Sequence, residues 1–235
     1  MTLEEILSAG FTELGLPLDP SALGRYRLYA DALRETNAVM NLTAIEGEEA
    51  TARLHFLDSA ALLTLADFGA KRVIDVGTGA GFPGLALKIA RPDISLTLLD
   101  SLDKRIGFLR ETCGKLDFDD VCLLHARAEE AGADCRAAFD IAVSRAVAKL
   151  SVLCELCLPL VKTGGLFIAM KGSEHQQELR AAFQAIRLLG GQFERSADYT
   201  IPGTDVTHSA ILIRKIADTP ARYPRRWAQI RKTPL

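Results

Sequence analysis

Three glycines at two-residue spacing close a short apolar run in Val73-Ile74-Asp75-Val76-Gly77-Thr78-Gly79-Ala80-Gly81-Phe82-Pro83-Gly84. Gly77, Gly79 and Gly81 carry no side chain, so a ligand can approach the backbone and the turn can stay tight. Pro83 suits a first helical turn, where a missing N–H costs nothing. One carboxylate, Asp75, stands two residues before Gly77. A second, Asp100, stands 23 positions after it, at the end of the next apolar run. A carboxylate at that place accepts both hydroxyls of a ribose.

Two cofactors compete for this loop. Gly79-x-Gly81-x-x-Gly84 has dinucleotide-fingerprint spacing, but Gly77 closes the strand here, so the frame is displaced. A pyrophosphate seeks a helix N-terminus. S-adenosylmethionine has no phosphate and carries a sulfonium cation, so the acidic strand end at Asp75 suits it. The frame Asp-x-Gly-x-Gly-x-Gly is that of Rossmann-like methyltransferases, with Gly77, Thr78, Gly79 and Gly81 in contact with S-adenosylmethionine.

The elements that must hold this loop follow from periodicity. Residues 1–66 read as a helical extension. Leu3, Ile6, Leu7, Phe11 and Leu14 fall at helical spacing, Asp19-Pro20-Ser21 starts a second helix, and a third covers about Gly47 to Leu65. From Lys71 short strands alternate with helices. The strands are Val73–Val76, Ser95–Leu99, Val121–Leu124, Phe139–Val143 and Gly165–Met170; the helices are Leu85–Ala90, Leu102–Leu116, Leu150–Val161 and Ser173–Leu189. Such alternation means a mostly parallel sheet covered on both faces. Gln192–Ile201 and Ser209–Ile216, joined by Pro202-Gly203-Thr204-Asp205, close it as an antiparallel pair. The expected organisation is a helical extension (1–66), an α/β Rossmann-like domain with a seven-stranded sheet (67–217) and a basic tail (218–235).

The 235 residues carry 28 Lys+Arg against 30 Asp+Glu, a net charge of −2. That total argues against a generic nucleic-acid binder, but the charge is unevenly placed. Five basic residues and no acid lie between Thr219 and Leu235, which leaves 23 against 30 elsewhere. No apolar run reaches the roughly 18 residues of a membrane span, and the acidic start Met1-Thr2-Leu3-Glu4-Glu5 is unlike a signal peptide. Five cysteines, an odd number, point to reduced thiols in a cytoplasm. Cys154-x-x-Cys157 has metal-like spacing but no companion pair, and reads as two buried residues on an apolar helix. No metal is expected.

Further segments resemble one family. They are Asn41-Leu42-Thr43, Arg53-Leu54-His55-Phe56-Leu57-Asp58-Ser59, Leu98-Leu99-Asp100-Ser101-Leu102-Asp103-Lys104-Arg105, Arg127-Ala128-Glu129-Glu130, Val143-Ser144-Arg145-Ala146-Val147-Ala148, Met170-Lys171-Gly172 and Tyr223-Pro224-Arg225-Arg226. Together with the loop ending Phe-Pro-Gly they resemble the RsmG (GidB) family of bacterial small-subunit rRNA methyltransferases over nearly the whole chain. The resemblance implies methyl transfer from S-adenosylmethionine to N7 of guanine 527 in 16S rRNA, in the 30S subunit or its precursor. It further implies cofactor contacts at Gly77, Phe82, Ala128, Glu129 and Arg145, with Asp100 and Ser101 at the ribose. The tail departs from the family pattern: Trp227-Ala228-Gln229-Ile230 replaces a glycine- and proline-containing stretch.

Guanine N7 is an unprotonated lone pair on the major-groove edge. Its attack on a sulfonium methyl removes no proton, so orientation is the task and no general base is nominated. Arg145 is the candidate for positioning the guanine, or for an ion pair with Asp75, Asp100 or Glu129. The candidate RNA contacts are Arg53, His55, Lys171, Arg222, Arg225, Arg226, Arg231 and Lys232. For His55 packing or hydrogen bonding is favoured over RNA contact, with Asp58 its better-placed helical neighbour. Two other classes compete. An NAD-linked oxidoreductase lacks a nicotinamide-site constellation of His, Tyr and Lys; a non-catalytic RNA-binding factor would bind rRNA without modifying it.

Overall fold

The computed structural model describes residues 1–145, 148–172 and 175–235. Ala146 and Val147 of the Ser-Arg-Ala stretch, and the expected helix start at Ser173, lie outside the described residues.

Two N-terminal helices begin where the caps predict. In α1 (Leu3–Glu13) the Thr2 hydroxyl accepts from Glu5 N while Glu5 accepts from Thr2 N, a reciprocal capping box. In α2 (Pro20–Met40) Asp19 accepts from Ser21 N at 2.8 Å. The third helical stretch is composite: α3 (Glu48–Thr51), a π-turn (Ala52–Leu57), α4 (Asp58–Ala60) and a 3-10 turn (Ala61–Thr64).

The strands are β1 (Arg72–Val76), β2 (Ser95–Asp100), β3 (Cys122–His125), β4 (Phe139–Arg145), β5 (Val161–Gly172), β6 (Gly191–Thr200) and β7 (Thr207–Lys215). Their order is β3-β2-β1-β4-β5-β7-β6, with β7 antiparallel to both neighbours and the other pairings parallel. This is the expected doubly covered sheet closed by an antiparallel pair. The intervening helices are α5 (Gly84–Ala90), α6 (Asp103–Lys115), α7 (Leu150–Cys157) and α8 (Gln176–Leu188). The expected run of α7 to Val161 stops short: Pro159 offers no N–H, and Leu158–Leu160 winds as a 3-10 turn.

Two apolar clusters lie on opposite faces of the sheet. One joins Leu3, Phe11, Tyr26, Tyr29 and Phe56 of the N-terminal helices to Val73, Leu85, Leu98 and Val143. Two phenols tie the extension to the loop–helix unit: Tyr29 OH donates to Ala80 O at 2.5 Å and Tyr26 OH to Ala86 O at 2.8 Å. The other cluster holds α7, α8 and the C-terminal segment, whose last helix is α9 (Trp227–Lys232). Cys154 and Cys157 are fully buried in it, as read from the sequence, and burial pushes both thiols up. Among the described residues no helix is long and apolar enough to cross a membrane.

Candidate active site

The glycine loop leaves β1 with Gly77, Gly79 and Gly81 at φ of 72°, 61° and 103°, a region that only glycine enters freely. A Cβ on Gly81 would lie 2.5 Å from Tyr29 Oη, and one on Gly84 would lie 2.8 Å from Asp75 Cβ. Gly81 therefore also admits the N-terminal helices. The loop spends most of its N–H groups on the protein itself. Gly77 and Thr78 donate to Leu99 O, Gly81 and Phe82 to Thr78 O, Gly79 to Asp100 Oδ2 and Gly84 to Asp75 Oδ2. A pyrophosphate cradle needs such groups aimed at the ligand, so this loop is a poor dinucleotide site.

Beside the loop lies a cavity of about 380 Å³ lined by Gly77, Asp100, Ser101, Ala128, Glu129 and Trp227, among others. Asp100 is 2% exposed. It receives Gly79 N and Leu102 N at 2.9 Å and pairs with Arg105 at 3.2 Å. Among the described residues Glu129 Oε1 is buried without a hydrogen-bond donor, and Arg127 lies 3.9 Å away. A buried acceptor left over at the wall calls for a donor from a ligand. Carboxylates at Asp100 and Glu129 fit hydroxyl and amine donors and a cationic centre, and so fit S-adenosylmethionine. The loop residues Gly77, Thr78, Gly79, Gly81 and Phe82 stand at the same strand end.

Asp75 is fully buried at the loop base. Oδ2 accepts from Thr78 Oγ1 at 2.7 Å and Gly84 N at 2.8 Å, while Oδ1 has no donor among the described residues. It is thus a brace for the loop. Burial raises its pKa from 3.8 to about 6, against the pull of those two hydrogen bonds. Because the folded value lies above the unfolded one, the contribution to stability is full below about pH 4 and is lost as pH rises to about 6. Asp75→Asn removes this loss. Chemical denaturation across that window is expected to show the variant gaining on the wild type as pH rises; a constant difference would mean Asp75 does not ionise there.

A second cavity, about 730 Å³, is lined by His55, Asp58, Arg145, Lys171, Glu178 and His208, among others, and Ala148 lines both cavities. Arg145, at the end of β4, lines this cavity. One guanidinium nitrogen reaches Leu54 O at 3.2 Å and Asp58 Oδ2 at 3.3 Å; the other lies 2.8 Å from His55 Nδ1. The π-turn permits this. The Asp58 N–H, which in an α-helix would bind Leu54 O, reaches Arg53 O and His55 O, and Leu54 O turns to Arg145. Asp58, 1% exposed, also accepts from Tyr199 OH at 2.9 Å and His208 Nδ1 at 2.8 Å. The ion pair expected with Asp75, Asp100 or Glu129 is therefore made with Asp58 instead.

His55 is stacked on Phe82, with centroids 4.2 Å apart and planes at 6°, and the Arg145 guanidinium lies 5.0 Å from the same ring. Burial and the Arg145 charge lower the His55 pKa to about 3, so the ring is neutral. Arg145 can only donate, so Nδ1 accepts and Nε2–H donates to Thr43 Oγ1 at 2.9 Å. His208 is shifted the other way: its hydrogen bond to Asp58 favours the protonated ring.

Four of the candidate RNA contacts have partners inside the protein. Arg53 binds Glu49 at 2.9 Å and Pro202 O at 3.0 Å; His55 is engaged as described. Lys171 binds Ala148 O at 2.6 Å and Glu178 at 2.8 Å, and Arg225 is locked to buried Glu155. Arg222, Arg226, Arg231 and Lys232 are exposed. Trp227, interleaved with the tail cations and expected from the sequence to stack on RNA bases, lines the first cavity instead, and sequence reasoning missed Tyr199 and His208. These two face one another across the β6–β7 pair, a register that the turn at Pro202-Gly203 hints at.

The chain matches the profile of the family described as GidB, rRNA small subunit methyltransferase G, over residues 23–199. It is 43% identical over 237 residues to Ribosomal RNA small subunit methyltransferase G of Acetivibrio thermocellus, covering 100% of this chain and 98% of the relative. Identity to the protein of that name from Alkaliphilus oremlandii is 45% over 238 residues and 100% of both chains. Among solved structures the fold is similar to TYW2 of M. jannaschii in complex with AdoMet (TM-score 0.55, 11% identity, 68% of this chain and 75% of that one). It is also similar to TrmN of Thermus thermophilus (TM-score 0.52, 21% identity, 67% and 48%). At these identities the likeness is one of fold.

Proposed function

The chain belongs to the rRNA small subunit methyltransferase G family, and from that premise we propose that its target is N7 of guanine 527 in 16S rRNA, presented by the 30S subunit or a precursor. The activity itself is that of an S-adenosylmethionine-dependent methyltransferase of small-subunit rRNA. We place the cofactor in the cavity of Gly77, Asp100, Ser101, Ala128 and Glu129, and the guanine in the cavity of Arg145.

The observation that carries this reading is that His55, Asp58 and Glu178 of the second cavity already have hydrogen-bond partners within the protein. Both nitrogens of neutral His55 are engaged, Asp58 serves three donors, and Glu178 is held by Lys171 and Leu150 N. None of these groups is left as a free base. Guanine N7 needs none, since its lone pair attacks without losing a proton. When bound, the cofactor supplies an electrophilic methyl on a sulfonium. The protein's task is to hold nucleophile and methyl in line at near-attack distance. Arg145 presents donors to the guanine O6 edge, where hydrogen bonds draw off charge as N7 becomes cationic.

The test is incubation with 30S subunits, and separately with free 16S rRNA, from a strain lacking the modification, using methyl-labelled cofactor. Label is expected at guanine N7 in a single fragment by mass spectrometry; label elsewhere, or none, defeats the proposal. The exposed tail cations give a second measurement. Replacing Arg222, Arg226, Arg231 and Lys232 with glutamine should flatten the salt dependence of RNA affinity by about one unit of log–log slope per lost phosphate contact. An unchanged slope would remove these four from the RNA footprint.

A further inference from the structure

The C-terminal segment does more than carry charge. Arg136 donates to Tyr223 O at 2.8 Å and to Thr219 O at 2.5 Å. Arg225 pairs with Glu155 on α7, and Ile230 is fully buried in the cluster of α7 and α8. These anchors flank Trp227, the first residue of α9, and set it against that cluster. Trp227 thereby lines the 380 Å³ cavity, together with Leu99, Ala128 and Leu156.

The lining divides by chemistry. Asp100, Ser101, Arg105, Arg127 and Glu129 supply the polar part; Leu99, Ala128, Leu156 and Trp227 supply the apolar part. Of the parts of S-adenosylmethionine, the amino acid is zwitterionic, the sulfonium is charged and the ribose is hydroxylated. Only adenine is a flat, neutral π-system, suited to an apolar wall containing an aromatic ring.

We propose that Trp227 is a cofactor-binding residue, its indole forming the aromatic wall for adenine, so that the segment read as an RNA-binding tail completes the S-adenosylmethionine site. This rests on the cavity being the cofactor site. Folding of the tail and cofactor binding are then linked: ligand that requires Trp227 in place favours the docked segment.

Trp227 is the single tryptophan of the chain, so its fluorescence, excited where tyrosine is silent, reports on the proposal in the unaltered protein. Titration with S-adenosylhomocysteine is expected to give a saturable change whose midpoint agrees with the calorimetric Kd. Adenosine should reproduce the change and methionine should not. Trp227→Leu keeps an apolar side chain against the α7–α8 cluster but removes the ring, and should raise the Kd about tenfold; Trp227→Phe should recover most of the loss. Calorimetric binding with flat fluorescence, and an unaltered Kd in Trp227→Leu, would overturn the role of Trp227 and leave the cofactor site standing. A change produced by methionine but not adenosine would overturn the adenine assignment. No calorimetric binding to the wild type would defeat the site itself, and this proposal with it.

Discussion

Arg145→Ala will lose methyl transfer by at least about 10²-fold, because a positioning group in the wall of the proposed guanine cavity is removed. It will also melt earlier. Asp58 is 1% exposed, and removing its cation leaves a buried carboxylate served only by Tyr199 and His208. Breaking a buried pair outright costs about 3–5 kcal/mol; His208, whose protonated ring Asp58 favours, offsets part of that, so the expected loss is about 2–3 kcal/mol, or roughly 5–10 °C in Tm for a chain of this size. That is a large share of the usual 5–15 kcal/mol, yet the protein should remain folded at 25 °C. The two effects separate in Arg145→Lys. A lysine keeps the charge beside Asp58 but has no planar fork to reach Leu54 O, Asp58 and His55 together. Stability should therefore recover in part while transfer stays low. Labelled-methyl incorporation and a circular-dichroism melt measure the two quantities. If both substitutions turn over normally, Arg145 is a structural ion-pair partner and nothing more.

The loop was legible in the sequence because its constraint is local. Backbone at φ of 61–103° demands glycine at Gly77, Gly79 and Gly81, and that demand shows at fixed spacing whatever surrounds it. Asp100 was legible for a similar reason: it ends a strand adjacent to β1, and its register follows from the parallel pairing. The partners of Arg145 were not. Asp58 lies 87 residues away and joins Tyr199 and His208, 141 and 150 residues from it. Composition carries no trace of such pairings, and the nearest carboxylates along the sheet were the natural guess. The net charge of −2 misled in a subtler way. Its uneven distribution did locate a basic tail, but charge on a tail says nothing about whether each cation is free, and Arg225 is not.

Arg225 holds the largest stability effect expected from the tail. Glu155 is 0% exposed on α7, in a segment whose pattern is otherwise apolar. It survives there because Arg225 serves both its oxygens: the Arg225 N–H and Nε reach Oε1 at 2.9 and 2.8 Å, and a terminal nitrogen reaches Oε2 at 2.6 Å. Arg225→Ala strands a buried carboxylate and should destabilise by about 3–5 kcal/mol. The partner replacement separates this from any role in RNA binding. With Glu155→Met added, the stranded charge is gone, and the double variant should regain most of the lost stability, since a buried pair exchanged for apolar packing is often neutral. A phosphate contact would show the opposite pattern. The salt slope of RNA affinity would fall in Arg225→Ala and stay low in the double variant, with little change in melting. Seating of Trp227 adds a second consequence: Arg225→Ala should weaken S-adenosylhomocysteine binding as the segment loosens, although its side chain is absent from the cavity lining. Equal melting of wild type and Arg225→Ala would show that Glu155 finds another partner, and that the tail is not fastened through this pair.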